Sequence, residues 1–348
     1  MDMKRDYYED VQFLKGAGLK TWFFLLLVSL VVFPFIAPSY YVYVASLIGV
    51  NIIVVLGLNI LVGNTGQISL GHAGFVAIGA YITVLLQSSG IPFPVALVLG
   101  AIIAALFGVV LGIPALRLEG PYLAIATLAF GLAIEVIIGR IDLFGGHMGL
   151  SVRGADFGFT RIINETEVYF LILIPLIISG VAARNILRSK TGRAFQAIRD
   201  SNIAASAMGV NVARYKTMSF AISAFYAGIA GGLWAVLIGF INPGQFNFVL
   251  SIQYLAMVVV GGLGTILGSV FGAVVITLLM LQAESIQLIP ILGPMFEWFS
   301  ETFMTRSGMP NITWILTGLA LMLIVIFEPL GLYGLWIRCK IYWKTWPF

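Results

Sequence analysis

The sequence predicts an all-α, polytopic membrane protein with about ten transmembrane helices. Hydrophobic residues fill 60% of its 348 positions and charged residues only 10%, whereas soluble domains average roughly 25% charged residues. Long apolar runs also follow one another along the chain, and all but one of them are close in length to the roughly 20 residues that cross a bilayer as a helix. This composition excludes a soluble enzyme, because so few charged residues cannot cover the water-facing surface of a 348-residue protein.

The apolar runs are separated by polar gaps of very different charge. We interpret the first run as a membrane span and not as a signal peptide, because acidic residues accompany the lysines before it and further spans follow at once. The runs lie at residues 21–37, 41–62, 67–87, 92–115, 121–140, 167–187, 216–240, 250–282 and 311–328.

The basic residues predict the orientation, because cytoplasmic loops of membrane proteins are enriched in Lys and Arg. The tail after residue 328 is basic, whereas the gaps 142–167 and 284–306 are mainly acidic and are expected outside. Both termini are therefore predicted on the cytoplasmic side of the membrane, which we expect to be a bacterial inner membrane. The most basic stretch has one acid, Asp200, against seven basic residues: Arg184, Arg188, Lys190, Arg193, Arg199, Arg214 and Lys216.

This orientation requires the run 250–282 to start and end on the same side of the membrane. A single helix cannot do that, so we expect two short helices that meet at Gly261, Gly262, Gly264 and Gly268. The count then reaches ten crossings. The predicted organisation is a cytoplasmic segment 1–20, a transmembrane domain 21–337 with a cytoplasmic loop 189–216, and a cytoplasmic tail 338–348.

Several kinds of chemistry are missing from the sequence. It has one cysteine, Cys339, and two histidines, which excludes a disulfide framework and most metal sites. No G-x-x-x-x-G-K-[ST] loop is present, so any ATP that drives this protein must be hydrolysed on another chain. We therefore expect no catalytic residue, no metal and no cofactor bound by this chain.

The stretch 57–81 is rich in glycine and polar residues within an apolar region. One interpretation is close helix packing through small residues. The other is a discontinuous helix beside a translocation pathway, where free backbone groups meet a solute. The candidate pathway residues, each of which could instead bond a neighbouring helix, are Asn59, Gln67, Ser69, His72 and Gln253.

The loop 189–216 is the largest polar stretch with helical character. It has small apolar faces for two short helices, and Gly209 is a plausible end for the second. A helix lying on the membrane surface and a segment that docks into a groove on a partner protein both fit this pattern.

The sequence of this loop resembles that of a known protein family. The segment GRAFQAIRDSNIAASAMGVNVARYK (192–216) resembles the ATPase-docking loop of ABC importer permeases, whose pattern is E-A-A-x-x-x-G. Ala204, Ala205 and Gly209 match that spacing, and Ile203 replaces the Glu. Together with four other stretches the loop is similar to the branched-chain amino acid permease family, specifically its LivM-like subunit. Those stretches are 57–81, 117–131, 257–275 and 327–336.

The resemblance implies a type II, cobalamin-importer-like permease fold. It also implies a second, non-identical permease subunit, two cytoplasmic ATPases that carry ATP and Mg, and an external solute-binding protein. Transport would proceed by alternating access. The residues implied to couple this chain to the ATPases are Gly192, Arg193, Arg199, Ala204, Ala205 and Gly209.

The expected solute is a branched-chain or other small neutral amino acid. Urea, a short amide or a small carboxylate remains open within the same family. A stand-alone channel or secondary carrier is a more distant alternative, because ion coupling needs a carboxylate near mid-depth and Glu135 lies near one end of its predicted span.

Overall fold

The structure is a computed structural model that describes residues 17–118, 120–158, 160–285 and 331–345, and the single positions 318, 322, 326 and 328. The predicted last span, 311–328, therefore lies mostly outside the described residues, as does most of the segment 1–20.

The described chain is mainly helical. The helices are α1 (Ala17–Ile36), α2 (Ser39–Asn59), α3 (His72–Ser88), α4 (Phe93–Ala115), α5 (Pro121–Arg140), α6 (Glu165–Arg188), α7 (Lys190–Asp200), α8 (Asn202–Ala207), α9 (Val212–Ile238), α10 (Phe248–Gly261), α11 (Ile266–Ser285) and α12 (Gly331–Thr345). A π-helical turn at Ile60–Asn64 extends α2, and short 3₁₀ turns lie at Asp142–Phe144, Gly146–Met148 and Pro243–Phe246.

Five of the described helices are long and apolar enough to cross a membrane: α2 with its π turn, α4, α5, α6 and α9. Shorter apolar helices lie at Phe24–Ile36, His72–Ser88, Phe248–Gly261 and Ile266–Leu281. A polytopic membrane protein is thus confirmed, while the count of ten crossings stays a prediction.

The mainly helical structure of the described residues agrees with the predicted all-α class, and four two-residue strands accompany the helices. Strand β1 (Leu150–Ser151) pairs with β4 (Phe240–Ile241), and β2 (Ala155–Asp156) pairs with β3 (Arg161–Ile162). Hydrogen bonds from the Arg161 side chain and from the Gly158 N–H hold the pKa of Asp156 below its usual value. All four strands lie in the polar segments that connect helices, at residues 150–162 and 240–241.

The core forms around α9, which packs against α4, α3 and α2. Its glycines permit this, because a Cβ on Gly228 would lie only 2.7 Å from the Cα of Ala101 in α4. A Cβ on Gly79 of α3 would in turn collide with the Gly228 backbone. Close packing through small residues, the first interpretation of the glycine-rich stretch, is confirmed here.

Two apolar runs are interrupted. The run 250–282 divides into α10 and α11, as expected, with positive φ angles of 121° at Gly262 and 77° at Gly264. Gly268, expected at the break, instead lies within α11. The run 67–87 is not one helix, because α3 begins only at His72 and residues 66–71 are not helical.

We expect the substitution Gly79→Ala to destabilise the protein, because the new methyl group would overlap the Gly228 backbone. The overlap can be relieved only by moving α3 away from α9. Overpacking of this kind costs about 1–3 kcal/mol, which lowers the unfolding midpoint by on the order of 5 °C. The measurement is a thermal melt of the purified protein in detergent.

Gly180→Ala is the matched control, since Gly180 is also a helical glycine and its added Cβ meets no atom within 4 Å. Equal midpoints for the two variants would contradict the packing argument.

Candidate functional site

Asn59, at the end of α2, holds the break between α10 and α11. Its side-chain N–H₂ donates to the Thr265 carbonyl at 2.8 Å and to the Ser269 hydroxyl at 2.7 Å, and its Oδ1 accepts from the Gly264 N–H at 2.8 Å. The side chain is buried. Backbone groups freed by a helix break inside a bilayer need partners within the protein, and Asn59 supplies them.

The π turn that follows Asn59 exposes a carbonyl beside this break. Gly63 packs against the Gly264 backbone, and a Cβ on Gly63 would overlap it. Asn64 secures the turn by donating from its side chain to the Asn59 carbonyl at 3.2 Å. Single π-helical turns often occur at functional sites, and this one aligns the end of α2 with the α10–α11 break.

Arg199 connects the polar loop to the same point. Its Nη1 donates to the Gly63 carbonyl at 2.8 Å, and the nearest atom to a Cβ on Gly264 would be the same Nη1, at 3.1 Å. A guanidinium is well placed at the carbonyl end of a helix, where the helix dipole is negative. We call the group Asn59, Gly63, Arg199, Gly264 and Thr265 the junction.

A second polar group lies in the non-helical segment before α3. The Gln67 side chain donates from Nε2 to the Ser219 hydroxyl at 2.7 Å and to the Thr65 hydroxyl at 3.0 Å. Gln67, Ser69 and His72 are all buried, and His72 meets Phe75 edge-on with the ring centroids 5.7 Å apart.

Four buried polar atoms of this group have no hydrogen-bond partner in the described part of the chain: Gln67 Oε1, Ser69 Oγ and both ring nitrogens of His72. Buried polar atoms are nearly always hydrogen-bonded, so such a concentration in one segment marks a place where hydrogen-bonding capacity is available. We call Gln67, Ser69 and His72 the polar segment.

The five candidate pathway residues therefore divide. Gln67, Ser69 and His72 come together in the polar segment, whereas the hydrogen-bonding groups of Asn59 are engaged at the junction. Gln253 is half-buried on α10. It lies two residues after Ser251, whose hydroxyl accepts from the Ala73 N–H at 3.0 Å at the start of α3. Two residues turn a helix by about 200°, so Gln253 faces away from that contact.

The candidate coupling residues also have different surroundings. Gly192 is buried at the α6–α7 corner against the Leu187 backbone, and Ala205 is the buried residue of α8. Arg193 is exposed and donates to the Arg188 carbonyl at 3.3 Å. Ala204 and Gly209 are exposed, and Gly209 has a φ of 83° where the loop turns after α8.

The loop exposes two bulky apolar side chains that the sequence did not lead us to name among the coupling residues. Ile203 is 82% exposed and Met208 is 86% exposed, on a loop whose other exposed residues are small or polar. Exposed patches of apolar side chains mark contact surfaces for proteins or for a membrane. The signal was present in the sequence as two bulky apolar residues within a polar, basic loop.

Metal binding finds no support in the described ranges, where no group of three or more His, Cys, Asp and Glu side chains could hold an ion. What the described geometry provides is hydrogen bonding at the polar segment and a connection between the loop and the α10–α11 break.

Comparisons with known proteins agree on one family. The family described as "Branched-chain amino acid transport system / permease component" matches residues 40–325. The high-affinity branched-chain amino acid transport permease protein LivM of Escherichia coli K12 is 36% identical over 291 residues, covering 76% of this chain and 68% of that protein.

More distant relatives include the LivH permease protein of the same kind of system in Salmonella typhimurium, 29% identical over 136 residues, or 39% of this chain and 42% of that one. The autoinducer 2 import permease protein LsrC of an Enterobacter species is 28% identical over 203 residues, or 55% of this chain and 56% of that protein.

We expect Asn59→Leu to loosen the junction, because the part-buried Gly264 N–H loses its partner. A donor left without a partner costs about 1–3 kcal/mol. Since about 1.4 kcal/mol corresponds to a tenfold change in an equilibrium constant, amide hydrogen exchange at residues 262–266 should accelerate about 5- to 150-fold. The measurement is hydrogen exchange followed by mass spectrometry.

Asn51→Leu is the control, because Asn51 also joins α2 to α11 but donates one bond, to the Thr277 hydroxyl at 2.9 Å. It should leave exchange at 262–266 unchanged. Unchanged exchange in Asn59→Leu as well would remove the role assigned to Asn59.

Proposed function

The chain belongs to the branched-chain amino acid transport permease family, and from this premise we propose that it is the LivM-like subunit of an ATP-driven importer for branched-chain or other small neutral amino acids. As a member of that family it is a transport subunit and a multi-pass inner-membrane protein. The observation that carries the proposal is the connection from an exposed apolar loop surface, through Arg199, to the junction.

The proposed architecture is a type II importer permease with ten crossings and both termini in the cytoplasm. It has a cytoplasmic segment 1–20, a transmembrane domain 21–337 and a tail 338–348. The division of 250–282 into α10 and α11 supports the even count, because two short helices allow this run to begin and end on one side. At 14 residues, α10 extends about 21 Å, short of the roughly 30 Å hydrocarbon core.

The proposed docking surface for an ATPase is formed by α8 and the turn after it. Ile203, Ala204, Met208 and Gly209 are exposed there, and the buried Ala205 fixes α8 against the rest of the loop. A helix presenting apolar side chains to a groove is a common mode of protein recognition. Arg193, which is exposed on the preceding helix α7, adds positive charge to the loop.

The proposed transmission path runs through Arg199. Movement of α7 with a bound ATPase would pull on the Gly63 carbonyl and so on the junction, where α2 and the α10–α11 break meet. A rearrangement of the junction would shift the end of α2 and the α10–α11 break at the same time. Alternating access needs such a two-state element, since packed interiors switch between arrangements and do not deform continuously.

The proposed pathway includes the polar segment. Gln67, Ser69 and His72 offer uncharged hydrogen-bonding atoms without partners in the described chain. Of the buried side chains among the described residues, Lys216 alone is charged, and it lies in the first turn or two of α9 near the loop. Uncharged lining favours a solute without net charge, which agrees with a neutral amino acid.

The proposed assembly contains a second, non-identical permease subunit, two cytoplasmic ATPases and an external solute-binding protein. A LivH-like chain fits the second subunit, because both LivM and LivH proteins are relatives of this chain. ATP and Mg would bind to the ATPases and no cofactor to this chain.

The solute is tested by uptake into proteoliposomes that contain the whole importer and its binding protein. With ATP inside the vesicle on the ATPase side, we expect radiolabelled leucine to be transported and unlabelled isoleucine or valine to compete. Urea, a short amide or a small carboxylate that competes while isoleucine does not would overturn the amino-acid assignment and leave the permease assignment intact.

The docking surface and the path through Arg199 give different expected defects. The double variant Ile203→Asp, Met208→Asp should lose the ATPases during purification, because two charges are placed in an apolar contact. The variant Ile203→Leu, Met208→Leu should retain them. Arg199→Met should retain the ATPases and their hydrolysis but lose at least tenfold in solute transported per ATP.

Arg214→Met is the control for Arg199→Met, because Arg214 is an exposed arginine of the same loop that does not reach the junction. Normal transport per ATP in Arg199→Met, or an equal loss in Arg214→Met, would contradict the path through Arg199.

A further inference from the structure

Glu135 is an acidic residue within α5, one of the helices long enough to cross a membrane. It lies five residues before the end of the helix at Arg140, which is about 7.5 Å at 1.5 Å per residue. The other acidic residues in the five long apolar helices that the structure describes are Glu165 and Glu167, and both belong to the first turn of α6. Glu135 is therefore the acid that lies furthest inside one of these helices.

The charge of Glu135 is not balanced by a neighbour. Its side chain is half-buried, and its carboxylate has no hydrogen-bond or ion-pair partner in the described part of the chain. Arg140 is the next base on α5, but five residues turn a helix by about 500°, so it points to a different side of α5, where it is exposed. Ionisable side chains inside crossing helices are costly and mark functional positions.

Glu135 extends the side of α5 that packs against the polar segment and the start of α3. Thr127, Gly131 and Glu135 recur every four residues and so are neighbours along one side of the helix. The Thr127 hydroxyl accepts from the Leu70 N–H at 2.9 Å, and a Cβ on Gly74 would lie 3.2 Å from the Gly131 Cα. Glu135 follows one turn after Gly131, about 6 Å further along α5.

The polar segment and Glu135 offer complementary groups to a solute. In the described chain the Ser69 hydroxyl and both ring nitrogens of His72 are buried without partners. A hydroxyl and a neutral imidazole each provide one donor, which suits a carboxylate. The Glu135 carboxylate suits an ammonium group, because hydrogen bonds between two ionised groups are the strong ones. An amino acid carries both a carboxylate and an ammonium group.

We propose that Glu135 binds the ammonium group of an amino acid solute and that the polar segment receives its carboxylate. This inference rests on the proposed function and selects the solute class within it. Urea or a short amide brings no cation to Glu135, and a small carboxylate would be repelled by it. In the proposed orientation Glu135 lies toward the external end of α5, which a solute released by the binding protein reaches first.

The experiment measures solute binding to the purified importer complex of permeases and ATPases, without its binding protein. Bound radiolabelled leucine is displaced by unlabelled leucine or by 4-methylpentanoate, which is leucine without its ammonium group. Wild-type complex should bind leucine at least about tenfold more tightly than 4-methylpentanoate, because hydrogen bonds to charged groups are the stronger class. In Glu135→Gln the affinity for leucine should fall to near that for 4-methylpentanoate, whose own affinity should not fall.

Two variants serve as controls. Glu135→Asp should retain a preference for leucine, because it keeps the charge, and Glu165→Gln, which removes an exposed acid at the start of α6, should keep the wild-type preference. Equal affinities of the two solutes for the wild-type complex, or an undiminished preference in Glu135→Gln, would overturn the inference. Loss of the second permease subunit from the Glu135→Gln complex would also overturn it, by assigning the carboxylate to a contact between subunits.

Uptake into proteoliposomes separates a failure of this inference from a failure of the proposed function. If the wild-type importer takes up urea or a small carboxylate and no leucine, the amino-acid assignment is wrong and the role of Glu135 with it. If leucine is taken up but the purified complex binds it no better than 4-methylpentanoate, the amino-acid assignment stands and only the role of Glu135 is wrong.

Discussion

The need to pair every backbone polar group inside a bilayer is the constraint on which the rest of the structure depends. A helix satisfies it automatically, so each interruption of a helix needs side chains that replace the missing partners. The described part of the chain has two such interruptions, before α3 and between α10 and α11. Asn59 serves the second, while the Thr127 and Ser251 hydroxyls accept from the Leu70 and Ala73 N–H groups at the first.

Glycine makes this arrangement possible by bringing backbones together. A side chain as short as asparagine can reach across a break only if the helices approach closely, and Gly63 packs directly on Gly264. The two interpretations of the glycine-rich stretch thus belong together. Small residues bring the helices into contact, and the contact allows the breaks to be stabilised.

Much of the fold could be predicted from the sequence because its signals are local. The lengths of the apolar runs predicted the membrane-crossing helices, and the cluster of glycines within 250–282 predicted that this run divides into two helices. The start of α3 at His72 could not be read from the run 67–87, because the departure of residues 67–71 from the helix involves a hydrogen bond from the Leu70 N–H to Thr127, 57 positions away. The unequal roles of Asn59 and Gln253 likewise depend on which neighbour each side chain meets, and no local pattern records that.

The basic residues of the loop illustrate the same limit in a functional setting. Counted together they predict an orientation, because that rule depends only on the number of charges near the membrane. In three dimensions they separate: Arg199 donates to the Gly63 carbonyl beside the α10–α11 break, whereas Arg193 donates to the Arg188 carbonyl at the α6–α7 corner. Since Arg199 also lies against Gly264, the loop touches the same backbone that Asn59 holds. A change in the position of α7 would therefore reach this helix interruption through Gly63 and Gly264.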